Sequence, residues 1–155
     1  MSNLIAIIRV RGSMETRATT EDALCQMHLT RKNHCVLLQN TPQMKGTLVL
    51  CRDYITWGGI TLQNVELLLK KRSEILPGKR LTDEYVAKNS KFKSIPELAK
   101  AISDGTAKMK DVSGLKPLFR LHPPIKGFEG IKIAYPKGAL GNRGEKINEL
   151  ISRMV

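Results

Sequence analysis

RKNHCVLLQNTPQMKGTLVLCRDYITWGG, residues 31–59, holds a basic turn, a short apolar run, a proline-opened helix and a second strand in succession. Cys35 to Leu38 is continuously apolar and of strand length, too short for a helix that must bury one face. Thr41 followed by Pro42 predicts a helix start. The threonine oxygen can accept a bond from an unpaired amide, and proline at the first helical position gives up no hydrogen bond. Leu48, Val49 and Cys51 are then expected to face inward, with Lys45 and Arg52 on a solvated side. Tyr54 to Trp57 is β-branched and aromatic, and Gly58-Gly59 closes it.

Upstream, Leu4 to Arg11 reads as a strand. Leu4, Ala6, Ile8 and Val10 make one apolar face; the other begins with Ile5 and Ile7 and finishes in Arg9 and Arg11, so the far end is expected to point two cations outward. Gly12 ends it, and residues 13–18 form a polar loop that adds Arg17. A helix is predicted from Thr20 to Leu29, with Thr19 and Asp22 approximating a capping box and Leu24, Met27 and His28 at helical spacing. Residues 4–59 therefore read β-α-β-α-β, an α/β (α+β) sandwich whose helices cover one face of a three-stranded sheet. Its other face and its edges need cover, which the remaining chain can supply. The division expected is a core unit over residues 1–60 and a dependent, mostly helical extension over 61–155 packed on it.

In the extension, Thr61 opens a helix carrying Leu62, Val65 and Leu69, with Lys70, Lys71 and Arg72 at its negative end and Pro77-Gly78 as its stop. A short helix begins at Thr82, followed by a basic link of Lys88, Lys91 and Lys93. Ser94 to Glu97 reads as a capping box for a helix bearing Leu98, Ala101 and Ile102. Residues 106–117 read as loop. Leu118 to Leu121 is a candidate strand, the prolines of His122 to Gly127 fix an extended loop, and Ile131 to Tyr135 is a further extended stretch. In the last helix Ile147, Leu150, Ile151 and Met154 fall at i, i+3, i+4 and i+7, so this end is expected to dock on the core.

The charge is unusual: 26 Lys and Arg against 14 Asp and Glu leave +12 on 155 residues, of which 41% are hydrophobic. A folded chain so charged repels itself, and a polyanion, nucleic acid before an acidic protein, is the expected partner. The excess is spread, because residues 1–60, 61–117 and 118–155 sum to +3, +5 and +4. No apolar run has the ~18 residues needed to span a bilayer, and SNLIAIIRVRG lacks a signal peptide's cationic region and cleavage site. The odd number of cysteines, Cys25, Cys35 and Cys51, in apolar periodic segments suits a reduced compartment and buried thiols.

One chemical reading competes with RNA binding, and two features can be read either as structure or as RNA contact. A cysteine-dependent or zinc enzyme would use Cys35 beside His34, perhaps with Cys25, His28 and Cys51. Neighbours on a strand point to opposite faces, however, and neither CxxC nor HExxH occurs, so activation and metal binding both lack their usual spacing. The glycine-rich approach to the last helix, Gly138, Gly141 and Gly144 with Asn142 and Arg143 inside, is either a turn before a docked helix or a phosphate contact through amides. Trp57 either packs in the core or stacks on a base.

RVRG at 9–12, RKNHCVLL at 31–38, NTPQMKG at 40–46, RDYITWG at 52–58, FRLHPPIKGFEG at 119–130 and GNRGEKINELISRM at 141–154 together resemble the large-subunit ribosomal protein L-thirty family in its archaeal/eukaryotic-type long form. The resemblance covers nearly the whole chain in order. It implies a first unit similar to half of a ferredoxin-like fold, and a non-enzymatic structural constituent of the large ribosomal subunit in the cytoplasm. The partners implied are the large rRNA, the nearby five-S rRNA and neighbouring ribosomal proteins, with no membrane, metal, cofactor or small-molecule substrate. By matching motif, RNA contact falls to Arg9, Arg11, Arg31, Lys32, Asn33, His34, Lys45 and Arg52, joined by His122, Lys126 and Arg143 from the C-terminal motifs. Asn142 comes from the glycine-rich loop. A free RNA-binding regulator is the alternative that shares these residues.

Overall fold

A computed structural model of the protein describes residues 4–14, 16–75 and 78–155. Pro77 of the expected Pro77-Gly78 stop, Glu15 of the expected loop and the first three residues of the chain lie outside the described residues.

The first unit runs β1 (Leu4–Arg9), α1 (Ala18–Gln26), β2 (His34–Gln39), α2 (Pro42–Leu50) and β3 (Ile55–Gly59), so the expected β-α-β-α-β order is present. β1 is central and antiparallel to both neighbours; Ile7 faces Val36 on one side and Trp57 on the other. Alternation along β1 sends Ile5 and Ile7 beneath the first two helices, among Ala23, Leu24, Met27, Leu29 and Leu48. It sends Leu4, Ala6 and Ile8 to the opposite face, where Val65, Leu68, Leu98, Ile147 and Leu150 of the extension cover them. A strand buried on both faces has to be apolar at every position, and β1 is so from Leu4 to Ile8.

Helix boundaries show which local signals were satisfied. Thr41 caps α2, its Oγ1 accepting from the Met44 amide at 3.2 Å. Val49, expected inside, is 62% exposed while Leu48 and Cys51 are buried. Successive helical residues turn by about 100°, so Leu48 and Val49 cannot share the sheet-facing side. α1 starts at Ala18 rather than Thr20, and its N-cap, Arg17, makes no side-chain capping bond, so the Thr19–Asp22 box is not formed. Its end is a Schellman turn: Leu29 N–H donates to Leu24 O (2.8 Å) and His28 N–H to Cys25 O (2.9 Å), with His28 at φ 62°. His28 is thereby exposed and Leu29 is returned to the core.

The extension contributes α3 (Leu62–Arg72), a hairpin of β4 (Glu74–Ile75) and β5 (Lys79–Arg80), α4 (Asp83–Asn89), α5 (Ile95–Ser103), β6 (Leu118–Arg120), β7 (Gly141–Asn142) and α6 (Ile147–Met154). β6 pairs antiparallel with β2 and β7 pairs parallel with β3, giving a five-stranded sheet of order β6-β2-β1-β3-β7. At α5 the expected Ser94 cap accepts no amide bond through its side chain. Asp83 Oδ1 accepts from the Ile95 amide at 2.8 Å instead, and Glu97 reaches back to the Lys93 amide at 2.8 Å. Residues 106–117 are loop apart from a 3₁₀ turn, Met109–Asp111, and an antiparallel bridge from Leu115 to Ile75, yet Ala107, Met109, Val112 and Leu115 are buried in the main core. Ile131 to Tyr135, expected extended, forms turns with one bridge between Ala134 and Leu140.

All four predicted anchors of α6 are buried. Its Asn148 fixes the helix to the end of β3: the side-chain oxygen accepts from the Thr61 amide (3.0 Å) and Asn64 Nδ2 (2.9 Å), and Nδ2 donates to Gly59 O (3.0 Å). Close approach here requires glycine, because a Cβ on Gly58 would collide with the Gly144 carbonyl.

Candidate nucleic-acid interface

Arg9 is not at the surface. It is 0% exposed, its Nη1 and Nη2 donating to both Glu21 oxygens at 3.0 and 2.9 Å, Nη1 also to Leu29 O at 2.6 Å, and Nε to Arg11 O at 2.9 Å. The reason is the strand period: Arg9 shares a face with Ile5 and Ile7, and that face lies under α1. The expectation of two outward cations is corrected to one, and Arg9 is not available to a phosphate.

The remaining basic residues of the first unit are brought together by topology. Because β1 is antiparallel to β2 and β3, its C-terminal end adjoins the starts of both, and β6 ends there too, with Arg120 opposite His34. Arg11 crosses to the residues before β3: its amide donates to Tyr54 O (3.2 Å), its guanidinium lies 4.9 Å from the Tyr54 ring centroid, and Nη1 donates to Asp53 O (3.2 Å). The turn holding exposed Arg31 and Lys32 is fixed through Asn33, which sits at φ 65°, donates its amide to Arg9 O at 2.7 Å and accepts from the Leu121 amide at 3.1 Å. Arg52 is exposed beside Asp53 at 3.6 Å, a surface pair with little hold on either partner.

Arg120 and Arg153, which sequence reasoning missed, complete this end. Arg120 is exposed and 3.7 Å from Glu74, whose carboxyl already accepts from Lys116 Nζ at 2.9 Å. The Lys116 hydrogen bond holds Glu74 below the usual carboxylate range, with help from Arg120. Arg153 donates from Nε and Nη2 to Ile125 O (2.9 and 2.7 Å) and from Nη2 to Gly127 O (2.8 Å). It thereby clamps the loop on which His122 and Lys126 are exposed. The only signal for Arg120 in the sequence was its place at the end of a predicted strand; for Arg153 there was none.

Other predicted site residues stand apart. His34 is 7% exposed, with Nδ1 3.5 Å from Thr30 Oγ1, so its ring lies below the turn and not on the RNA-facing surface expected of it. Burial pushes its pKa down, and the charges of Arg120, Arg31 and Arg9 add to this. Lys45 is exposed in the first turn of α2, which follows the opposite end of the sheet, where Gln39 faces Leu4. Asn142 is exposed, and its Oδ1 takes the Gly144 amide (3.0 Å), one of the groups expected to hold phosphate. Arg143 is half-buried: Nη2 donates to Gly138 O and Ala139 O at 3.4 Å, and the guanidinium lies 5.1 Å from the Tyr135 ring centroid. Its pKa is lowered by burial. Trp57 is partly buried against the α1 and α2 cluster, the packing option of its two readings.

The cysteines divide. Cys35 lies deep in the main core with its thiol pushed up to about 12 by burial, which disfavours the thiolate a nucleophile needs. Burial also raises Cys51. Cys25 is exposed, contrary to the expectation of three buried thiols, because Ala23, Leu24 and Met27 occupy the sheet-facing side of α1. Among the described residues, no three His, Cys, Asp or Glu converge in a metal-binding group.

The fold and this end of the sheet define a cationic α/β protein made of a β-α-β-α-β unit with a long extension wrapped over its open face. Residues 5–55 match the profile of the Ribosomal protein L30p/L7e family. Similarity to individual proteins extends over both units. The chain is 45% identical over 152 residues to the large ribosomal subunit protein uL30 of Methanocella arvoryzae, covering 97% of this chain and 99% of the relative. It is 40% identical over 151 residues to uL30 of Archaeoglobus fulgidus, with the same coverage, and 44% identical over 153 residues to uL30 of Methanosphaera stadtmanae, covering 98% and 100%. The chain belongs to the ribosomal protein L30p/L7e family.

Proposed function

We propose that this protein is a structural, non-enzymatic constituent of the large ribosomal subunit in the cytoplasm, and that it binds rRNA by neutralising phosphates at the basic end of its sheet. The observation that carries the reading is the convergence of Arg11, Arg31, Lys32, Arg52, Arg120 and His122 from both units at one sheet end. The uL30 names of its relatives supply the subunit. Arginine and lysine side chains there give affinity, while Asn33 and the Arg153-clamped loop fix position. The large rRNA is the principal partner, the five-S rRNA lies close by, and other ribosomal proteins are neighbours. Asn142 and Lys45 are additional contacts on separate faces, and the half-buried Arg143 organises the loop that presents Asn142.

Sedimentation tests the assignment. Tagged protein expressed in its host is expected to stay with large subunits through washing at moderate salt. Recovery only in the ribosome-free fraction would identify a regulator instead.

A further inference from the structure

The outer edge of β2 is open along half its length. β6 pairs with His34, Cys35 and Val36, whereas β2 continues through Leu37 and Leu38 to Gln39, which pair with β1 on the other side. Extending the β6 register by one residue sets Pro117 opposite Leu37, and proline has no amide to add to a ladder. Among the described residues, Leu37 to Gln39 thus has no strand on that edge. Unprotected edges of this kind are templates for another chain.

A cavity of about 530 Å³ lies along this edge. Its floor is Val36 to Gln39. One wall comes from the α1 and α2 layer through Met27 and Met44, the other from α5 and the loop after it through Ile102, Ala107 and Met109. An added strand would lie ~4.8 Å from β2 and send alternate side chains to the two walls. Methionines on both sides suit a partner of irregular shape. Lys108 and Lys110, both exposed, also line the groove, and among the described residues no carboxylate does.

We propose that this groove takes an extended segment of a neighbouring protein, which adds as a strand to β2 beyond Pro117 and places acidic residues against Lys108 and Lys110. The lysines alone would suit RNA, but apolar walls beside an outward strand edge, with Leu37 presenting both an amide and a carbonyl and Gln39 an amide, do not match a phosphate backbone. The proposal rests on the ribosomal reading only for where the partner is found.

The test places the photo-crosslinker p-benzoylphenylalanine at Met44 in the full-length chain and irradiates washed large subunits. Presence of the chain is scored first, and a chain missing from the subunits overturns both readings. With the chain present, the expected result is a cross-link to one protein segment that carries Asp or Glu within a few residues. A cross-link to rRNA, to a segment without acidic residues, or to nothing overturns the groove proposal and leaves rRNA binding intact. Paired substitutions Lys108→Glu and Lys110→Glu are expected to lower the cross-link yield several-fold with an unchanged Tm of the free protein. The amides of Leu37 and Gln39, which point to the open edge, are expected to exchange at least about tenfold more slowly in the subunit than in the free protein, while that of Leu38, which faces Ile5 of β1, changes little; equal rates at Leu37 and Gln39 would contradict strand addition.

Discussion

Arg9 and Glu21 form a two-pronged ion pair beneath α1, at 3.0 and 2.9 Å, with the arginine wholly buried and the glutamate 29% exposed. Removing the carboxylate leaves a buried guanidinium whose remaining acceptors are the carbonyls of Leu29 and Arg11. Glu21→Ala is therefore expected to destabilise the fold by about 3 kcal/mol, and Arg9→Met by clearly less, because a buried charge without its partner is worse than no charge. Urea denaturation of the two variants checks the order. Equal losses would show that the pair acts through volume alone.

Gly58→Ala tests the seam between the two units. The new methyl would meet the carbonyl of Gly144 and the side chain of Ile147, so β3 and the approach to α6 must separate. The expected cost is about 1 to 3 kcal/mol from overpacking, read as a lower urea midpoint. Gly59→Ala, with nothing near its added Cβ, is the control and is expected to change little.

The docking of α6 is tested by large-to-small changes. Ile147→Ala and Ile151→Ala each empty a fully buried site in the main core and are expected to cost ~2 to 5 kcal/mol. Ser152→Ala, at an exposed position of the same helix, is expected to cost far less. If all three variants melt together with the parent, the helix does not contribute to the core.

Acid should weaken the protein through His34. Its folded pKa lies below the ordinary 6.5, so the unfolded chain takes up the proton first as pH falls. Stability is then lost as pH drops from about 6.5 toward the folded value, and no stability is lost through this group above that window. A Tm series from pH 8 to 5 is expected to decline below 6.5 in the parent and less steeply in His34→Gln. Parallel profiles would place the acid sensitivity elsewhere.

The core of the fold was legible because several of its signals are local. The two-sided apolar run of β1, the Thr41-Pro42 cap and the spacing of Ile147, Leu150, Ile151 and Met154 each need only neighbouring residues to interpret. What failed depended on tertiary contact. Alternation already put Arg9 on the face of Ile5 and Ile7, yet only the placement of α1 shows that this face is closed and that Glu21 waits there. The cap of α5 comes from Asp83, twelve residues upstream, and not from Ser94. Residues 131–135 turn where their apolar content suggested extension, since Gly130 and Gly138 allow a close approach that strands do not make. At the candidate site, Arg31 and Lys32 were readable as an exposed turn, while Arg120 joins them only through the pairing of β6 with β2.

The salt dependence of binding to transcribed large-subunit rRNA is the most direct test of phosphate neutralisation at the sheet end. The parent is expected to show a linear fall of log affinity with log salt, each neutralised phosphate adding ~0.7 to 0.9 to the slope. The double substitution Arg31→Ala with Lys32→Ala is expected to reduce that slope by ~1 to 2 while Arg9→Met leaves it unchanged. A slope near zero in the parent, or a loss of slope with Arg9→Met and none with the Arg31 and Lys32 changes, would contradict the assignment of this surface.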